Sequence, residues 1–203
     1  MKVAFISDIH GVASSLAQAL AKADSLGCEK IVLLGDLLYH GPRNGVPGKY
    51  DPVETARLLN ERKEMIVAVR GNCDAEVDGM MLEFPIDAPF AELDAGKEKF
   101  FITHGHLWNT DRLPTEKDWT VLVHGHTHIP VMENIAEGKR IWNPGSVSLP
   151  KGGTKRSFGF YDGERLETIM LEDNENPAVP FDSNCAYCAE GKLLDAFGIK
   201  ICD

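Results

Sequence analysis

Residues 2–36, KVAFISDIHGVASSLAQALAKADSLGCEKIVLLGD, contain two apolar runs, each ending at a polar residue, with a helical pattern between them. KVAFIS leads into Asp8 and His10, and IVLL leads into Gly35-Asp36. Short apolar, β-branched runs with such flanks read as buried strands. Between them Leu16, Leu20, Ala23 and Leu26 recur at helical spacing; Ser14 or Ser15 could cap the start, and Gly27 ends the helix. Further along, GPRNGVPGKYDP reads as a loop. DPVETARLLNERKE (51–64) reads as a second helix, with Pro52 in its first turn and Val53, Ala56 and Leu59 on its inner face. MIVAV forms a third strand that ends at Arg70-Gly71. The order βαβαβ predicts a parallel sheet.

From FPIDAPFAELDAGKEKFFITHG (84–105) onward the pattern changes to short strands separated by Gly, Asp or Pro turns. VLVHG, IPVMENI, KRIWNPGS, SFGFYDG and RLETIML follow closely, the last two as a hairpin around Asp162-Gly163. The expected fold is α/β: one domain over residues 1–171, two sheets packed face to face, helices outside. Residues 172–203 are expected to be a separate extension. Within it DNENPAVPFDSN reads as a loop and KLLDAF as a short helix. Cys185, Cys188 and Cys202 lack the histidine that would complete a four-ligand zinc site.

At 203 residues, with 43% hydrophobic and 26% charged content, the chain has the make-up of a soluble globular domain. No apolar stretch has the length a bilayer requires, and MKVAFISDIHG reaches Asp8 and His10 too soon for a secretory leader. The cytoplasm is the expected location, and no membrane partner is expected. A net charge of -10 excludes general nucleic-acid binding by a basic surface. It does not exclude a phosphate substrate, because two divalent cations would shift the local charge by about four units. Five scattered cysteines argue against a disulfide framework.

Five strand ends carry the chemistry: ISDIHG, LLGDLL, VRGNCD, ITHGH and VHGHTH. Together they present Asp8, His10, Asp36, Asn72, His104, His126 and His128, enough ligands for two metal ions. Any one segment alone could be a turn or a cap; it is all five, in order, that carry force. A pair of cations sharing a water needs an anionic bridge, with the ions about 3.5–4 Å apart. Asp36 is the candidate bridge. Asp8 and His10 can face one ion, His126 and His128 can reach different ions, Asn72 offers a carbonyl oxygen and His104 an imidazole nitrogen. This donor mixture suits Mn2+ first, with Ni2+, Fe2+ or Zn2+ as alternatives, and disfavours Mg2+. His106 and His124 have no assigned role.

The set DxH, GD, GNxD, THGH and GHTH resembles the calcineurin-like metallophosphoesterase superfamily. GDLLYHGPRN, AVRGNCDAEVD and NPGSVSLPKGG resemble its small bacterial YfcE-type phosphodiesterases. The resemblance covers roughly residues 1–171. It implies a four-layer α/β-sandwich, and a dinuclear site in which Asp8, His10, Asp36 and His128 hold one metal while Asp36, Asn72, His104 and His126 hold the other. It further implies a metal-dependent phosphoric diester hydrolase acting on a small phosphodiester, and a homo-oligomer. The alternatives are a phosphomonoesterase on the same site and a non-catalytic scaffold.

In the expected mechanism a hydroxide bridging the metals attacks phosphorus in line with the leaving oxygen. Asn72 is held by its metal, and Asp74 orients neighbouring groups. Many superfamily members carry a histidine where this chain has Cys73, and a thiol is a poor proton donor to a leaving group. His40 falls where phosphatase relatives carry a phosphate-binding arginine; it could bind phosphate, donate a proton or simply sit on the cleft rim. Arg43 and Arg70 could meet an anion. Specificity is expected from loops 41–51, 78–90 and 107–119, where Trp108 and Trp119 could stack a ring or pack inside.

Overall fold

A computed structural model describes residues 1–115, 117–135 and 138–172. The expected loop, short helix and cysteines of the C-terminal extension lie outside the described residues.

The βαβαβ start is present: β1 (Val3–Ile6), α1 (Ala13–Leu26), β2 (Lys30–Leu33), α2 (Pro52–Asn60) and β3 (Ile66–Ala68). β1 pairs in parallel with β2, and β2 with β3. β4 (Phe90–Asp94), β5 (Lys99–Thr103), β6 (Val121–Val123), β7 (Val131–Asn134), β8 (Arg140–Asn143), β9 (Ser157–Tyr161) and β10 (Leu166–Met170) follow. The β9–β10 hairpin adds to β1 rather than to its sequence neighbours, giving a mixed sheet β10-β9-β1-β2-β3. The second mixed sheet has the order β4-β5-β6-β8-β7, with β5, β6 and β8 parallel.

Strand alternation assigns the faces. Val3, Phe5, Val32 and Leu34 point from the first sheet toward Phe100, Ile102, Val121, Val123 and Trp142 of the second, forming the core between the sheets. Ala4, Ile6, Ile31, Leu33, Phe158 and Phe160 face the other way, against Leu16, Ala19, Leu20 and Ala23 of α1 and Ala56 and Leu59 of α2. Both described α-helices therefore cover one outer face. Over the outer face of the second sheet, Trp108 and Trp119 from the chain after β5 pack with Phe101, Leu122 and Ile141. The two tryptophans are thus packing residues rather than stacking platforms.

Two local expectations change. α1 begins at Ala13, with Val12 as its cap residue and no side-chain cap. The Ser15 hydroxyl is buried and accepts from Arg156 Nη1 instead, at 3.1 Å. α2 keeps Asp51 as its cap, the carboxylate accepting from Glu54 N–H at 2.9 Å, with Pro52 in the first turn. Val53, however, is 67% exposed, because Thr55, Ala56 and Leu59 take the inner face.

Candidate metal centre

The loops that follow β1, β2, β3, β5 and β6 meet at one edge of the two sheets, as parallel strands with their carboxyl ends on one side require. All seven expected ligands are brought together there. Asp8 Oδ1 lies 3.3 Å from His128 Nε2 and 3.9 Å from His10 Nε2. The two imidazole nitrogens are 3.3 Å apart. A second group forms around His104, whose Nε2 is 2.9 Å from Asn72 Oδ1 and 3.2 Å from His126 Nδ1. Asp36 stands between the groups, with Oδ2 3.7 Å from His10 Nε2 and Oδ1 3.4 Å from His104 Nε2.

While the imidazole rings are neutral, these atoms satisfy one another poorly. The Nδ1–H groups of His10, His104 and His128 donate to the carbonyls of Tyr39 (2.8 Å), Leu34 (2.7 Å) and Leu149 (2.5 Å). In the neutral rings this leaves each Nε2 as a lone pair. His10 and His128 then point two lone pairs at each other, and His104 points one at an amide oxygen. Asp8 Oδ1 is buried and has no hydrogen-bond partner among the described residues. Metal–ligand bonds of about 2.0–2.2 Å place neighbouring ligand atoms roughly 3–3.6 Å apart, close to the spacings seen here. The residues therefore fit divalent cations, and carbonyl-tied imidazoles are the usual support for such ligands. Asp8, His10 and His128 form one candidate metal-holding set, and Asp8, Asp36 and His104 another.

Electrostatics reflect the crowding. Burial pushes the Asp36 carboxyl upward, but the hydrogen bond and charge of His104, the charge of His10 and the Cys73 N–H outweigh it, holding it well below the usual carboxylate range. Burial likewise opposes charge on His104, yet Asp36 and Asp8 raise that ring to about 9. Burial lowers His126, helped by the neighbouring His104. It also lowers His128.

The glycines beside the ligands are there for close approach. A Cβ on Gly71 would lie 2.2 Å from Asp36 Oδ1, and one on Gly125 would lie 1.8 Å from Ser7 Oγ and 2.6 Å from Asp8 Oδ2. Asp74 does not reach the ligand atoms. Its carboxylate accepts from the backbone N–H groups of Asp36 (2.9 Å), Leu37 (2.7 Å) and Gly71 (2.7 Å), clamping the β2 and β3 loops together. Burial raises its pKa despite those bonds.

Cys73 is half-buried on the cleft wall, and its thiol can join His10 and Asp36 in a further group of candidate ligands. Burial, followed by the Asp36 charge, pushes the thiol up to about 12. His40 is not among the residues lining the cleft. Its Nδ1–H donates to Gly41 O at 2.8 Å, and its ring packs beside Tyr39 and Tyr50 at 4.6 and 5.3 Å. His124 is buried, with its Nδ1–H donating to Gly125 O. His106 is exposed, with its ring 5.4 Å from that of His104.

Sequence reasoning missed the supports. Ser146 and Ser148 hydroxyls both donate to Asp8 O, at 2.8 and 2.7 Å, and Ser7 Oγ donates to Asp8 Oδ2 at 2.6 Å. The SVS stretch that supplies two of them was visible, but serine near a turn carries no ligand signal of its own. The cleft above the ligands, of about 1040 Å³, is lined by Tyr39, residues 41–44, 70 and 72–77, His126 to His128, and Lys151. Among the described residues, the first of the three loops expected to set specificity lines this cleft, and those of 78–90 and 107–119 do not.

Two mixed sheets carry a carboxylate- and imidazole-rich cluster at their parallel strand ends, an arrangement suited to metal-dependent phosphoester chemistry. The calcineurin-like phosphoesterase superfamily domain matches residues 1–165, and the chain belongs to that superfamily. It is 47% identical over 173 residues to phosphodiesterase YfcE of Escherichia coli K12, covering 85% of this chain and 94% of that protein. The solved structure of YfcE, a phosphoesterase from E. coli, superposes with a TM-score of 0.81 at 46% identity, covering 88% of this chain and 97% of that one. Phosphodiesterase MJ0936 of Methanocaldococcus jannaschii is 26% identical over 182 residues, 85% of this chain and 100% of that protein.

Proposed function

We propose that this protein is a metal-dependent phosphodiesterase that works with two divalent cations. One observation carries the reading: the two oxygens of Asp36 face two separate ligand groups, Oδ2 toward His10 and Oδ1 toward His104. Asp8, His10, Asp36 and His128 would hold one cation, and Asp36, Asn72, His104 and His126 the other. The histidine content favours Mn2+, with Ni2+, Fe2+ or Zn2+ as alternatives. The chemistry such a pair supplies when bound is a shared, activated water for in-line attack and positive charge against the phosphoryl oxygens.

The chain's own residues do the rest. Asp36 and Asp8 contribute the negative charge that allows two cations to sit side by side. The carbonyls of Tyr39, Leu34 and Leu149 fix the tautomers of three histidines. Asp74 fixes the spacing of the Asp36 and Asn72 loops, a positioning role. No described histidine takes the place of Cys73 beside the ligand atoms, so the leaving group is expected to depart without a strong protein acid. The names of the relatives favour a diester substrate. The cleft cations, more numerous than the motif loops led one to expect, leave a phosphomonoester as the second reading.

Metal-stripped protein reloaded in turn with Mn2+, Ni2+, Zn2+ and Mg2+ tests this. About two ions per chain are expected, together with hydrolysis of bis(p-nitrophenyl) phosphate faster than of p-nitrophenyl phosphate. Folded Asp36→Ala should lose at least ~100-fold in kcat/KM, since the bridge serves both ions. A protein that binds no metal and cleaves neither ester would be a scaffold.

A further inference from the structure

The cleft is larger than the reaction needs. A bare phosphodiester group would occupy a small part of about 1040 Å³, a volume at the upper end for pockets that enclose whole small-molecule ligands. Its walls also carry three cations, Arg43, Arg70 and Lys151. In the cleft, Arg43 and Lys151 have no carboxylate within 4.0 Å among the described residues. Arg70 is partly held, its Nη2 donating to Asp74 O at 3.4 Å. Glu76 is the carboxylate that lines the cleft beyond Asp36 and Asp74.

Both free cations stand on fixed backbone. The Lys151 N–H donates to His128 O at 3.1 Å, and its own carbonyl accepts from Thr154 N–H and Oγ1. Lys151 thus stands next to His128 of the first ligand group and lines the cleft. Arg43 belongs to a turn anchored by the Asn44 side chain, which donates to His40 O at 2.8 Å. Gly41 of that turn is packed so closely that an added Cβ would lie 3.0 Å from Cys73 Sγ. In a chain with a net charge of -10, uncompensated cations gathered around a phosphate-cleaving site lower the cost of bringing in an anion.

We propose that Arg43 and Lys151 are specificity-determining residues that bind a second phosphate, carried on the ester arm of the substrate. The inference rests on the phosphodiesterase reading and names the substrate class for that same site: diesters bearing a further phosphomonoester. Two cations match the dianion, and the arginine adds a fork for its oxygens.

The test uses three esters that share the p-nitrophenolate leaving group and differ in the charge of the other arm. These are p-nitrophenyl phosphorylcholine (cationic), thymidine 5′-(p-nitrophenyl phosphate) (neutral) and its 3′-phosphorylated derivative (anionic). With Mn2+-loaded full-length protein, the 3′-phosphorylated ester should have a kcat/KM about tenfold or more above the neutral one, the scale of a charge-assisted contact, and the choline ester should be slowest. The ratio is read within each variant, so a general change in activity cancels. It should fall toward one in the Arg43→Ala/Lys151→Ala double variant and invert in Lys151→Glu. Equal rates in the unmodified protein, or a ratio that survives the double variant, would overturn the proposal. Bis(p-nitrophenyl) phosphate serves as the control: if it too is not cleaved, the phosphodiesterase reading itself fails, and the second-phosphate site falls with it.

Discussion

Asp8, His10, Asp36, His126 and His128 all have positive φ, between 49° and 68°. That is left-handed backbone, which side-chain-bearing residues seldom adopt outside asparagine, aspartate and histidine positions, and such strain persists only where the surroundings hold it. Here the holding is done by bonds between loops: Asp8 N–H to Gly35 O, His10 N–H to Asp36 O and Gly11 N–H to Leu37 O. The residue types of the site were legible in DxH, GD, GNxD, THGH and GHTH. The strained backbone that aims them was not, since φ depends on partners distant in sequence. Cys73 belongs to this scale as well. With a half-buried thiol where a proton donor would be useful, aryl diesters should be cleaved faster than alkyl diesters, because aryl oxides leave unprotonated. Cys73→His should narrow that ratio, chiefly by raising the alkyl rate; steady-state kinetics on matched aryl and alkyl esters would check it, and an unchanged ratio would remove the donor argument.

At the level of elements, the strands were readable because each is a short apolar run, and β1 and β9 are buried along their whole length. What could not be read was pairing: nothing local says that β9 lies beside β1 rather than β8. Gly159 shows what that pairing demands. It sits in β9 opposite Phe5, and an added Cβ would lie 2.6 Å from the Trp142 ring of the facing sheet and 3.1 Å from Phe5 Cβ. Gly159→Ala should therefore destabilise the protein by about 1–3 kcal/mol, the usual range for overpacking a core. Urea denaturation should show a lower midpoint with little change in m. A midpoint within error of the parent would mean the two sheets can part at little cost. The α1 cap was misplaced for a related reason: Ser15 looked like a terminal hydroxyl, but Arg156, far along the chain, claims it.

For the whole molecule, the site gathers two buried aspartates and four imidazoles at the junction of both sheets, so cations that bind only the folded chain should stabilise all of it. At 100 times the dissociation constant this amounts to about 2.7 kcal/mol per independent site, or roughly 5–10 °C in melting temperature for a domain of this size. Calorimetry should show that rise with Mn2+ and its reversal by chelator, and Asp36→Ala should melt at a temperature insensitive to both. A parent protein whose melting ignores Mn2+ would count against a cation site at the sheet junction. No described helix is long and apolar enough to cross a membrane. The strands, the parallel start and the seven candidate ligands were legible in the chain alone, because these are written in local periodicity and in residue chemistry at strand ends. Folding of the whole chain settled which oxygen of Asp36 faces which histidine, that Asp74 clamps backbone while His40 packs beside Tyr39 and Tyr50, and that Lys151 stands beside His128. Those are relations between loops distant along the chain, and packing rather than local preference brings them together.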